Sequence, residues 1–119
     1  MEFDNEKFDT LLKLAYRRAD ISFTIEEVRQ VFDYYFDTYE LVMERKHPMI
    51  KLPQITNIIQ SMPVIYSTEI DDYIVDVTAD DYELLIDQHF ATRYKNCDYN
   101  VNHFFSGNIR AFRYREVFG

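Results

Sequence analysis

The 119-residue chain is 47% apolar, 17% aromatic and formally −8 at pH 7, with two glycines and a single cysteine. That balance describes one globular domain able to bury its own core. It excludes an internal disulfide, a glycine-rich phosphate loop and, with no run near the roughly 18 apolar residues a span requires, a transmembrane helix.

The opening MEFDNEKFD is acidic and has no apolar centre, so no signal peptide is expected. The lone Cys97 fits a reducing cytosol, and a cytoplasmic location follows as an expectation. Charge is unevenly spread. Residues 1–51 carry eight Lys/Arg and eleven Asp/Glu, residues 52–92 carry eight acids and no Lys or Arg, and residues 93–119 carry five basic and two acidic side chains. Phosphate repulsion opposes nucleic-acid binding over most of such a surface, and only the C-terminal end escapes it.

Tight hairpins call for Gly or Asn-Gly turns, and none is available. The pattern therefore predicts an all-α fold, a compact single-domain bundle of about five helices over residues 1–119. Asp4 or Asn5 caps a first helix running to about Arg18, with Phe8, Leu11, Leu12, Leu14 and Ala15 on its apolar side. After the short link 19–23, Thr24 and Glu27 have the spacing of a capping box for the longest helix, Thr24–His47. At about 100° per residue, Val28, Val31, Phe32, Tyr35, Tyr39, Val42 and Met43 share its apolar side. Arg45, Lys46 and His47 are expected to close it with positive charge, before Pro48 stops it.

Pro53 suits the first turn of a third helix, Pro53–Met62, with Ile55, Ile58 and Ile59 inward and Pro63 as its stop. Residues 64–77 read as an acidic loop, with a short extended segment at 73–77 that has no evident partner strand. Thr78 caps a fourth helix, about Ala79–Tyr94, whose first turn holds Asp80, Asp81 and Glu83. Asn96–Tyr99 reads as a turn, and Asn100–Phe118 as a last helical region broken near Ser106-Gly107, with Ser106 capping its second half.

No stretch carries a catalytic or metal-binding signature. Asp71-Asp72 and Asp80-Asp81 are more simply explained by loop solubility and helix N-terminal charge than by acid–base catalysis. His89, Cys97, Asp98 and His103 match no zinc spacing, and Cys97 with His103 lacks an identifiable third member of a nucleophilic site. No cofactor is implied. A small enzyme would instead declare itself by a concave pocket gathering titratable residues.

Two charged features remain. Arg110, Arg113 and Arg115 interleave with Phe112 and Tyr114, as in single-strand binding surfaces, or they pair with the acids of 69–87 while Ile109, Phe112 and Val117 pack. The second choice suits so acidic a chain better. The sharper feature is the outer face of the second helix. Glu26, Asp33, Asp37, Glu40 and Glu44 fall within an arc of roughly 60° and span about 27 Å. They lack the interleaved Lys that ordinary helix surfaces use for i,i+4 pairs. With Glu69, Asp71, Asp72, Asp76, Asp80, Asp81, Glu83 and Asp87 they offer carboxylates in place of nucleic-acid phosphates.

The run Cys97–Gly107 (CDYNVNHFFSG), followed by Ile109-Arg110, resembles a segment of small acidic proteins of phages and conjugative elements of low-GC Gram-positive bacteria. The resemblance implies a binding protein, not an enzyme. Such elements encode inhibitors of host defence, anti-CRISPR and anti-restriction proteins among them, and helicase loaders or their inhibitors. Two functions are therefore expected. The first is a non-enzymatic inhibitor of a basic nucleic-acid-binding protein, such as an RNA-guided or restriction nuclease. The alternative is a replication or regulatory adaptor, helicase-loader-like, that binds a protein partner through an apolar patch and can also touch DNA through Arg110, Arg113 and Arg115. The Tyr and Phe content also leaves room for a homodimer interface.

Overall fold

Local capping rules set the first two helices. The computed structural model describes residues 2–119. In α1 (Asn5–Arg18) the Asp4 carboxylate accepts the Lys7 N–H at 3.0 Å. In α2 (Ile25–Met43) the capping box forms in full: Glu27 N–H donates to Thr24 Oγ1 at 3.1 Å, and Thr24 N–H donates to Glu27 Oε1 at 2.8 Å. The link between them is held by the Tyr16 hydroxyl, which donates to the Phe23 carbonyl at 2.6 Å.

The end of α2 departs from expectation. The helix stops at Met43, because Glu44 takes the left-handed conformation (φ 56°, ψ 34°) and its N–H closes on the Glu40 carbonyl. No basic residue lies in its last turn. Arg45 instead turns back, with Nε 3.1 Å from the Tyr39 hydroxyl. His47 enters the core at 2% exposure, where its Nε2 accepts the Val101 N–H at 2.9 Å and its Nδ1 faces the Pro48 carbonyl at 2.7 Å. These partners fix a neutral imidazole with the proton on Nδ1. Val42, expected on the buried stripe, is half exposed.

Next come α3 (Leu52–Ser61), with its proline in the first turn, and a correction. The segment after Pro63 is a hairpin: β1 (Ile65–Ser67) pairs antiparallel with β2 (Asp72–Ile74), Tyr66 opposite Tyr73. The extended piece at 73–77 thus has a partner, and its strand starts one residue earlier. The absence of glycine does not prevent the turn. Asp71 supplies the left-handed residue (φ 48°), and Asp76 (φ 63°) does the same where the chain leaves the strand.

Thr78 caps α4 (Ala79–Ala91) as expected, its hydroxyl accepting the Asp81 N–H at 3.0 Å. That helix ends at Ala91, short of Tyr94. The following loop takes left-handed backbone at Asn96 and Tyr99, and the Tyr99 hydroxyl donates to the Thr92 carbonyl at 2.6 Å. The last helical region is two helices, α5 (Val101–Phe104) and α6 (Ile109–Phe118), divided at left-handed Gly107. This raises the expected five helices to six. Ser106 closes α5 by donating to the His103 carbonyl, and the residue before α6 is Asn108.

In the assembled domain α2 lies on α4, α1 on α3, and α6 on α4 and β1. Tyr35, Tyr39 and Tyr82 are fully buried among Leu12, Phe32, Ile55, Ile59, Met62 and Phe104. Each buried tyrosine hydroxyl has a polar partner, Tyr35 donating to the Tyr99 carbonyl and Tyr82 to the Met62 carbonyl, both at 2.6 Å. Much of the aromatic content thus belongs to the core. No helix among the described residues is long and apolar enough to cross a membrane.

Candidate functional site

Positions 33, 37 and 40 recur at i, i+4 and i+7, so their side chains form one stripe along α2, whereas Glu44, expected to extend it, is the left-handed residue just past the helix end. All five predicted α2 acids are exposed. Among the described residues no Lys or Arg forms an ion pair with Glu26, Asp33, Asp37, Glu40 or Glu44. Like charges one turn apart repel. This face is therefore not held together by its own contacts.

The structure joins the α2 stripe to part of the second acidic set. Gln30 Nε2 donates to Asp80 Oδ1 and to Glu83 Oε2, each at 2.7 Å, and the Tyr34 hydroxyl donates to Asp87 Oδ1 at 2.6 Å. That last bond and the partial desolvation around it push the Tyr34 phenol up to about 12. Gln30 and Tyr34 flank the stripe on the same helix, so acids of α4 lie beside those of α2. The two partners are separated by about fifty residues, which is why the chain order conceals the arrangement.

The remaining predicted acids have local partners. Glu69 takes a two-pronged bond from Arg115 Nη1, at 2.6 and 2.7 Å. Asp71 accepts the Tyr66 hydroxyl, Asp72 accepts the Tyr73 N–H at 2.7 Å, and Asp81 completes the Thr78 cap. Asp76 serves a left-handed turn. These residues are accounted for by the hairpin and the cap that they build.

The other flank of the α2 stripe opens into a cleft of about 490 Å³. Asp33, Asp37 and Glu40 line it from α2, with Phe3 from the N-terminal segment, Phe8 from α1 and Phe36 from α2 itself. The three rings touch, with Phe3 and Phe36 centred 4.7 Å apart and Phe8 and Phe36 5.2 Å apart. Arg29 also lines the cleft but is ion-paired with Asp9, while Lys46 and the neutral His47 ring complete the wall. Burial pushes the Asp33 carboxyl up, reinforced by Asp37 and Asp9 and opposed by Arg29. The cleft gathers titratable side chains, as a small enzyme's site would, but neither a hydroxyl nor a thiol nucleophile is among its described lining residues. This cleft is not legible in the sequence, because Phe3 and Phe8 meet Phe36 across more than twenty-five residues of chain.

The C-terminal arginines do not form a basic surface. Arg110 is 8% exposed, its Nη1 donating to the Ser61 carbonyl at 2.7 Å and to the Tyr82 hydroxyl at 2.8 Å, with its guanidinium 5.0 Å from the Phe105 ring. Arg113, at 7% exposure, binds the Tyr94 hydroxyl and pairs with Glu116 at 2.6 Å. Only Arg115 is exposed, and it pairs with Glu69 of the acidic region. Of the residues expected to pack beside them, Ile109 and Val117 are half-buried and Phe112 is exposed. Phosphate contact through Arg110 and Arg113 would require α6 to leave the fold.

His89, Cys97 and His103 do converge. Cys97 Sγ lies 3.2 Å from His103 Nδ1 and accepts the Tyr99 N–H at 3.1 Å, and the His89 and His103 rings are 5.5 Å apart. Asp98 turns instead to the Asn100 N–H at 3.0 Å. His89 is fully buried, with Nδ1 2.9 Å from the Tyr94 hydroxyl and Nε2 unpartnered, and burial, with the nearby His103 and Arg113 charges, drives it down to about 3. Among the described residues no three His, Cys, Asp or Glu side chains are arranged to hold a metal ion.

Comparisons with protein-family models, curated proteins and solved structures find no match. The chain's own geometry carries the functional reading.

Proposed function

We propose that this chain is a cytoplasmic, non-enzymatic inhibitor that occupies the nucleic-acid-binding surface of a basic protein. Its carboxylates on α2 and α4 take the place of phosphates. One observation carries the reading: an acidic stripe on α2, without an ion-pair partner among the described residues, lies beside Asp80, Glu83 and Asp87 through Gln30 and Tyr34. A face of unneutralised like charges gains most from a partner that brings Lys and Arg. The resemblance to small acidic phage and conjugative-element proteins agrees with it and points to an RNA-guided or restriction nuclease as the class of partner.

The contact set within the earlier candidates is Glu26, Asp33, Asp37, Glu40, Glu44, Asp80, Glu83 and Asp87. The test is capture of interacting proteins from the cells that carry the chain, at low salt. The retained partner should be a nucleic-acid-binding protein, elute progressively with rising salt and be displaced by added duplex DNA. Retention indifferent to both salt and DNA would refute the reading.

A further inference from the structure

We infer that the cleft between the N-terminal segment and α2 seats one guanidinium, an arginine side chain of the basic partner. The inference rests on the proposed function and names the chemistry at its most enclosed point. Three features select that ligand over other cations or an anion.

The first is charge. Among the described lining residues Asp33, Asp37 and Glu40 outnumber Arg29 and Lys46 by one, and Arg29 is drawn to Asp9 outside the cleft, so the field there is negative. Burial raises the Asp33 carboxyl, with Asp37 and Asp9 adding to the shift against the pull of Arg29. An anion would meet the opposite field.

The second is shape. A volume near 490 Å³ admits a long side chain, and it lies within the range of sites that enclose a small ligand. The third is the aromatic lining. Phe3 and Phe36 are only partly buried, so ring surface remains available, whereas Phe8 is 4% exposed and backs them. A planar, weakly hydrated guanidinium stacks on such rings while its N–H fork reaches carboxylates. A compact, strongly hydrated ammonium keeps its water and gains less. His47, its nitrogens both engaged, adds a neutral wall.

The experiment titrates the full chain with the capped tripeptides Gly-Arg-Gly and Gly-Lys-Gly, following backbone amide shifts by NMR at low salt. The arginine peptide should bind about threefold or more tighter, with shifts concentrated at Phe3, Asp33, Phe36 and Asp37. Phe36→Leu should equalise the two peptides. The surface change Lys46→Ala leaves the core untouched and should tighten arginine binding by relieving repulsion. Equal affinity for the two peptides, shifts spread evenly over the acidic face, or weakening by Lys46→Ala would each overturn the inference. A captured basic partner that holds Phe36→Leu as tightly as wild type would also overturn it, while leaving the α2–α4 charge surface standing. Failure of salt- and DNA-sensitive capture would remove the proposed function itself.

Discussion

Two regions carry like charges at helical spacing, and the fold treats them in opposite ways. On α2 the acids point outward without ion-pair partners among the described residues, beside further acids from α4. On α6 two of three arginines point inward onto carbonyl, phenol and carboxylate oxygens. A charged stripe thus becomes a surface only when the neighbouring elements offer it no acceptor or donor. The arginines had Tyr82, Tyr94 and the Ser61 carbonyl at the end of α3 within reach. The α2 acids face clefts and solvent.

The comparison breaks most readily at Arg110. Its removal strips the Ser61 carbonyl of its guanidinium donor and leaves the Tyr82 hydroxyl only its bond to the Met62 carbonyl, so Arg110→Ala should cost about 3 kcal/mol in urea unfolding. Neutralising the stripe with Asp37→Asn, Glu40→Gln and Glu44→Gln together should leave stability unchanged or raise it slightly, by up to about 0.5 kcal/mol, as repulsion is relieved. If the two variants lose similar stability, the contrast between a structural and a free charge set fails.

The histidines set the next effect. His89 is driven down to about 3, below the unfolded value of about 6.5, so the unfolded chain binds more protons under pH 6.5. Its contribution is fully present above pH 6.5 and is lost as pH falls toward 3. The loss between pH 7 and pH 5 should be about 2 kcal/mol from this group. His47, also lowered by burial, adds in the same direction. Urea midpoints across this range measure it, and His89→Phe should flatten the slope. A midpoint constant from pH 7 to pH 5 in the wild type would contradict the buried, neutral assignment.

A smaller effect belongs to the α2 cap, where Thr24→Ala should cost about 1 kcal/mol. The smallest is the exposed Arg115–Glu69 pair: Arg115→Ala should cost less than about 1 kcal/mol and vanish in high salt.

The parts of the fold legible in the sequence are those governed by neighbours along the chain. Asp4, Thr24, Thr78 and the proline-bounded α3 all act within a turn, and each marks its element. The misread parts depend on distant contacts. His47 looked like a helix terminator because its partner, the Val101 N–H, lies 54 residues on. The hairpin was hidden by the assumption that only glycine turns a tight corner, a part taken by Asp71. The α2 stripe was visible as a period, but its continuation onto α4 depends on Gln30 and Tyr34, ordinary polar residues until the helices are packed. The cleft depends on Phe3, which no helical pattern places.

The most direct test of the acidic surface is the salt dependence of affinity for the captured partner, measured for wild type and for Asp33→Asn/Asp37→Asn/Glu40→Gln/Glu44→Gln. The account predicts a steep loss of wild-type affinity with salt, and for the variant weaker binding with a shallower slope at unchanged thermal stability. Equal affinities and equal slopes for the two proteins would contradict it.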